Sequence, residues 1–235
     1  MKLLVSDYDG TFNEDNKLYK INKNIDAVRR FMDNGNIFAF ATGRCFNSIK
    51  EEIDKYRIPY NYLICNNGSV IFDNKDELLF RHTILLEAVI KTLTYLDKFG
   101  FIKSIELKDS YGNTTDNYSD VCEIFCTLRL RNSLDARMVR EEISFLNSIS
   151  FMNMIVFKDD IDKKDGIYVV SSIENIDDKD IFTIGDASND IGMLTHFNGY
   201  KMPYSYPDVM FSKAKMITSV KSLVRKIERI RSWIK

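Results

Sequence analysis

Short apolar runs alternate with amphipathic stretches at both ends of this chain, and each run stops at a polar residue. Leu3-Leu4-Val5-Ser6 ends at Asp7, Ile37-Phe38-Ala39-Phe40-Ala41 at Thr42, Tyr62-Leu63-Ile64-Cys65 at Asn66-Asn67, and Ile181-Phe182-Thr183-Ile184 at Gly185-Asp186. Runs of this length and composition read as buried strands. Between them, Asn24 to Met32 sets Ile25, Val28, Phe31 and Met32 on one helical face before Asn34-Gly35 stops it. Ile49, Ile53 and Tyr56 mark a second helix ended near Pro59. Strands alternating with helices over short connections predict parallel βαβ units, hence a doubly wound α/β core.

The rhythm changes in the middle. Ser69–Phe72 and Leu78–Phe80 read as a hairpin around Asn74-Lys75, followed by a long helix from Leu85 to Lys98. Strand-like Ile102–Leu107 and Val121–Leu130, a helix near Leu134–Leu146 and strand-like Phe151–Phe157 come next. Hairpin-type connections predict a mainly antiparallel α+β unit. The expected division is therefore a core of residues 1–82 and 158–235 and an insert of residues 83–157. The Val220, Leu223, Val224, Ile227 and Ile230 stripe predicts a C-terminal helix packed on the sheet.

A chain of 235 residues can bury a real core, and 33 basic against 34 acidic residues give a formal net charge of -1. That balance offers no footprint for nucleic acid or an anionic membrane, so a small-molecule partner is the expectation. No apolar run is long enough to span a bilayer, and Asp7 interrupts the start too early for a secretory signal, which predicts a cytoplasmic protein. The four cysteines, Cys45, Cys65, Cys122 and Cys126, lack C-x-x-C spacing and read as buried thiols. His82 and His196 have no cluster at ligand spacing and receive no chemistry. The aromatics of the insert, Tyr95, Phe99, Phe101, Tyr111, Tyr118, Phe125 and Phe145, read as core.

Ligands of open α/β sheets bind at the carboxyl ends of strands, so Asp7, Thr42, Asn67 and Asp186 are expected in one crevice. In extended chain, residues i and i+2 point the same way, which would aim Asp7 and Asp9 at one point, with Gly10 turning the backbone aside. Carboxylates repel a phosphate dianion, by roughly 8 kcal/mol for two charge pairs near 4 Å at an effective dielectric of about 20. A cation has to cancel that repulsion, and Mg²⁺ held by Asp7, Asp9 and Asp186 suits it. Lys163 or Lys164 can add a point charge, and the hydroxyl and N–H groups of Thr42-Gly43-Arg44 can hold phosphate oxygens.

These motifs resemble the haloacid dehalogenase superfamily of phosphohydrolases, most of all its Cof-type branch with an α/β cap. Asp7-Tyr8-Asp9-Gly10-Thr11 is similar to the family's D-x-D-G-T, Ala41-Thr42-Gly43-Arg44 to its second motif, and Gly185-Asp186-Ala187-Ser188-Asn189-Asp190 to its G-D-x-x-N-D. The resemblance implies Asp7 as the nucleophile of an aspartyl-phosphate and Asp9 as acid and then base. It implies a Mg²⁺ held by the Asp7 side chain, the Asp9 backbone carbonyl and Asp186, with Asp190 behind or bridging through water. Lys163, aligned by Gly166-Ile167, is the implied catalytic lysine, with Lys164 the alternative. Gly10, Thr42, Gly43, Arg44 and Asn189 fall on the phosphate side, and the insert takes the place of the cap that sets specificity. After Met202 the chain departs from relatives, carrying Pro203-Tyr204-Ser205-Tyr206-Pro207 where many have Gly-Asn-Ala.

The expected activity is hydrolysis of a small phosphomonoester, a sugar phosphate being one candidate. A phosphomutase of the same fold is the alternative, and a noncatalytic phospholigand module a further one. The intact acidic set disfavours the last, because unused carboxylates only repel one another.

Overall fold

The computed structural model describes residues 1–15 and 17–232, the side chains of Phe151 and of residues 230–232 excepted. Its elements in chain order begin with β1 Leu3–Ser6, α1 Leu18–Asp33, β2 Ile37–Ala41, α2 Phe46–Tyr56, β3 Tyr62–Cys65, β4 Val70–Asp73 and β5 Leu78–Arg81. Then come α3 Leu86–Leu96, β6 Ile102–Lys108, β7 Glu123–Leu128, α4 Ser133–Glu142, β8 Asn147–Phe151 and β9 Met154–Lys158. The chain closes with α5 Lys163–Glu174, β10 Ile181–Gly185, α6 Ile191–His196, β11 Asn198–Lys201, α7 Pro207–Met210, β12 Lys215–Met216 and α8 Val220–Ser232.

The chain folds as two units, Met1–Arg44 with Ser48–Phe80 and Asp162–Lys235, and Cys45–Asn47 with Arg81–Ile161. The breaks fall a few residues from 83 and 158, since the hairpin strand β5 ends at Arg81 and β9 runs on to Lys158. Cys45–Asn47 group with the second unit because the Asn47 N–H donates to the Tyr111 carbonyl at 3.1 Å and Phe46 meets the Tyr111 ring edge-on.

The first unit is built on an eight-stranded sheet in the order β12-β11-β10-β1-β2-β3-β4-β5. β1 is central, parallel both to β2, pairing Leu3 with Ile37, and to β10, pairing Leu3 with Ile181 and Ser6 with Ile184. Leu3, Leu4 and Val5 are fully buried, each contributing about 2 kcal/mol through removal from water. A strand buried on both faces must be apolar throughout, which is why the run is continuous rather than alternating. From β1 the chain moves outward through β2 and β3, and later returns to β10 and moves the other way. The strand order therefore reverses between β1 and β10, the place where such sheets open a crevice.

α1 begins six residues before the expected Asn24, because Ile21 extends the buried face by another turn and no capping side chain at Lys17 announces the start. On α8, Val220, Leu223, Val224 and Ile227 are buried as the stripe predicts, and Arg30 pairs with Glu228 at 3.1 Å; the Ile230 side chain lies outside the described residues.

The second unit carries an antiparallel sheet, β6-β7-β9-β8, with Val89, Leu96, Val139 and Ile143 among its core. The single strand expected over 151–157 is a hairpin of β8 and β9, and the helix before it ends at Glu142 rather than Leu146. The hairpin hides in the sequence because its turn uses Met152 at φ 53°, not a glycine or an Asn-Gly pair. Tyr111, Tyr118 and Phe145 are each more than a third exposed, so the insert's aromatics are not all core. All four cysteines are thiols outside any disulfide, Cys45 half-buried and the others buried. Among the described residues no helix is long and apolar enough to cross a membrane.

Candidate active site

The register of β1 against β10 decides the site. The Asp7 N–H donates to the Ile184 carbonyl at 2.9 Å, which brings Asp7 beside the Gly185-Asp186 end of β10. Gly10, at φ +77°, turns the chain back. A Cβ at this position would lie 2.4 Å from Asp186 Oδ2, so any larger residue would occupy the space at that carboxylate.

Asp7, Asp186 and Asp190 each offer a carboxylate oxygen, and these atoms lie within 4.8 Å of one another. Lys163 joins the group from the first turn of α5: its Nζ donates to Asp7 Oδ1 and to Asp190 Oδ1, both at 2.6 Å. Thr11 Oγ1 donates to Asp186 Oδ1 at 2.6 Å. Asp190 Oδ2 accepts the N–H groups of Asp186 and Ala187 at 2.9 Å each, so this residue caps its own turn while its other oxygen meets the lysine.

Lys163 is fixed by its helix. Asp162 caps α5, accepting from the Lys164 and Asp165 N–H groups, and the Asp165 side chain accepts from the Asp162 N–H at 2.8 Å. The cap sits against the turn after β3. Gly68 there has φ +107°, and a Cβ on it would come 2.0 Å from the Asp162 carbonyl oxygen. Only glycine meets both demands, so Gly68 sets how close the α5 N-terminus approaches.

Electrostatically the cluster is incomplete. Lys163 is 1% exposed and Asp190 fully buried, and three carboxylates against one ammonium leave two negative charges in excess. Burial pushes the Asp7 carboxyl well above its ordinary value, with Asp190 and Asp186 adding to the rise and Lys163 opposing it. Burial also raises Asp186, against the Thr11 hydrogen bond. On Lys163 burial acts downward, yet Asp190 and Asp7 outweigh it and hold the ammonium firmly protonated. A cluster of hard oxygen donors with two excess charges, and a glycine keeping the approach to Asp186 Oδ2 clear, fits a small divalent cation.

Asp9 stands outside this cluster. β1 ends at Ser6, so the two-residue alternation stops before it reaches Asp9, which forms an isolated bridge with Asn13. Its carboxylate, about half exposed, is gripped by both arms of Arg44: Nε to Oδ2 at 2.8 Å and the second arm to Oδ1 at 2.7 Å. The Arg44 guanidinium also lies 5.4 Å from the Tyr8 ring centroid. The third carboxylate beside those of Asp7 and Asp186 is that of Asp190, while the Asp9 side chain is held by Arg44.

Thr42 is buried, its Oγ1 accepting from the Arg44 N–H at 3.1 Å, and Gly43 lies between them on an exposed turn. Asn67, held at φ 55°, accepts from Asn189 Nδ2 at 2.8 Å and so ties the β3 end to the turn after β10. Lys164 is a third exposed and only approaches Asp162 and Asp165, at 4.0 and 3.9 Å. His82 meets Asp159 at 3.0 Å and His196 hydrogen-bonds Tyr168, neither within the cluster. Thr11 and the Asp162 cap received no role from the sequence, although D-x-D-G-T contains the first and the Asp162-x-x-Asp165 spacing signals the second.

A family model described as haloacid dehalogenase-like hydrolase matches residues 4–120 and 113–222. The chain belongs to this family. It is 32% identical over 99 residues to an uncharacterized protein of Mycoplasma capricolum subsp. capricolum, a match spanning 40% of this chain and 37% of that protein. It is 24% identical over 225 residues to a provisionally named phosphatase of Buchnera aphidicola subsp. Schizaphis graminum, spanning 83% of this chain and 81% of the relative. Among solved structures, a haloalkanoate (HAD) superfamily phosphatase from Bacteroides thetaiotaomicron superposes with a TM-score of 0.81 at 19% identity, covering 98% of this chain and 95% of that one. That likeness extends the shared fold over nearly the whole of this haloacid dehalogenase-like chain.

Proposed function

We propose that the protein is a Mg²⁺-dependent phosphatase that hydrolyses a small phosphomonoester in the cytoplasm through a phosphorylated Asp7. The observation carrying this reading is the convergence of Asp7, Asp186 and Asp190 within 4.8 Å around the buried Lys163. Family membership and the phosphatases among the relatives support it. Asp7, Asp186 and the Asp9 backbone carbonyl would hold the metal, which supplies positive charge that lets a carboxylate and a phosphate dianion approach.

Lys163 holds Asp7 Oδ1 and aims the carboxylate along the strand end. An Asp7 oxygen attacks phosphorus and the P–O bond to the alcohol breaks, leaving an acyl phosphate on Asp7 and an alkoxide. Asp9, entering as the neutral acid, protonates that alkoxide and, as the carboxylate it has become, takes a proton from water. The water oxygen attacks phosphorus, the bond from Asp7 to phosphorus breaks and inorganic phosphate leaves, with Asp7 ionised and Asp9 protonated again. To do so Asp9 must part from Arg44, whose guanidinium then becomes available to the phosphate oxygens. The Thr42 hydroxyl, the Gly43 N–H, the Arg44 guanidinium and the Asn189 amide are assigned to orienting phosphate, and Gly10 to leaving room for it. The second unit is assigned the role of cap.

Turnover of an aryl phosphate by purified protein tests this directly. Phosphate release with Mg²⁺ that a chelator abolishes is the expected result; a metal-loaded, folded protein that releases no phosphate contradicts it. Isomer formation without net phosphate release, dependent on a bisphosphate activator, would instead favour the mutase.

A further inference from the structure

The segment after β11 departs from the usual family pattern, and its backbone is tied to the end of β10 beside the acidic cluster. Met202 N–H donates to the Gly185 carbonyl at 3.2 Å, and the Tyr206 N–H to the Asp186 carbonyl at 2.8 Å. Ser205 ties the bend back through its N–H and Oγ, which both donate to the Met202 carbonyl, at 3.2 and 2.7 Å. Pro203 and Pro207 bracket the bend, the second opening α7. This backbone is therefore clamped, at two points, to the strand end that carries a cluster carboxylate.

The Tyr204 and Tyr206 side chains lie open to solvent. Tyr204 is 82% and Tyr206 60% exposed, and among the described residues neither phenol hydrogen-bonds and neither ring stacks on another. Single exposed apolar residues are ordinary on any surface. Two tyrosines one residue apart, on a rigid bend hydrogen-bonded to Asp186, are a concentrated surface beside the reacting groups. The five residues Pro203–Pro207 carry no charge, so they have nothing to offer a phosphate dianion. A phenol ring does offer an apolar face and a hydroxyl, which together suit the C–H face of a sugar ring or the plane of a base.

Building on the phosphatase reading, we infer that Tyr204 and Tyr206 form a stacking platform for the leaving group, so that the substrate is a phosphomonoester whose alcohol carries a ring. The charged cluster would read the phosphate and the tyrosines the remainder. Sugar phosphates and nucleoside monophosphates share that chemistry.

Affinity measured in the Asp9→Asn background, where the acid–base step is removed and every group assigned to hold the metal is kept, separates this inference from the catalytic one. Calorimetric titration with glucose 6-phosphate, adenosine 5′-monophosphate and glycerol 3-phosphate compares the intact platform with Tyr204→Ala/Tyr206→Ala. Removing both rings is expected to weaken a ring-bearing ligand about tenfold and the acyclic one much less. The ligand that suffers the loss tells sugar from nucleoside. Tyr204→Phe/Tyr206→Phe, which keeps both ring faces, is expected to retain most of the preference. Equal weakening of all three ligands, no weakening of either ring-bearing one, or no binding of either to the intact platform overturns the inference. Failure of the phosphatase reading shows separately, as absent turnover of the aryl phosphate by the wild type.

Discussion

Asp7→Asn is expected to lower aryl phosphate turnover on the order of 10⁴-fold or more while leaving the fold intact. The amide keeps the shape of the side chain but cannot attack phosphorus. Near-normal phosphate release from the variant would remove Asp7 from its assigned role.

Stability should move oppositely to activity. A carboxyl raised above its ordinary 3.8 in the fold binds its proton more tightly folded than unfolded. Its favourable contribution is complete below that ordinary value and is lost as pH rises through the raised one. Metal-free wild type is thus expected to lose stability across that window, and the Asn variant, which has no proton to give up there, to lose less. Thermal melts at mildly acidic and mildly alkaline pH check this; parallel pH dependence in the two proteins would mean that Asp7 is not the strained carboxyl.

Lys163→Met is expected to cost about 3–5 kcal/mol of stability, because it strands two buried carboxylates that share one partner. Turnover should fall about 10²- to 10³-fold. Lys164→Met, at a side chain a third exposed with its nearest carboxylate oxygen 3.9 Å away, should change either quantity little. Added Mg²⁺ should restore more stability to Lys163→Met than to the wild type, since it supplies charge where the ammonium is missing. The reverse order of effects in the two lysine variants would transfer the role to Lys164.

Much of the catalytic unit was legible because burial on both faces leaves a plain mark. The runs 3–6, 37–41 and 62–65 are strands with those same bounds, and the polar residues that end them gather where the strand order reverses. Asp186 was legible for the same reason, its strand being buried from Ile181 to Gly185. The place of the Asp9 side chain, on Arg44 rather than beside Asp7, was not, since the alternation rule holds only while the strand lasts and β1 stops at Ser6. Asp190 was harder still: its position four residues past Asp186 suits a cap as well as a ligand, and its two oxygens serve the backbone and Lys163 separately. Lys163 came from the family's pattern, whereas the reason it reaches Asp7, the Asp162 cap seated against Gly68, depends on tertiary contact. In the second unit, the β8–β9 hairpin lacked turn chemistry that sequence can announce.

The most direct measurement is calorimetric titration of metal-free protein with Mg²⁺, for the wild type, Asp7→Asn and Asp186→Asn. One ion per chain in the wild type, with binding lost or severely weakened in each variant, is the predicted result. Undiminished binding in both would mean that the acids from the two ends of the chain do not share a cation.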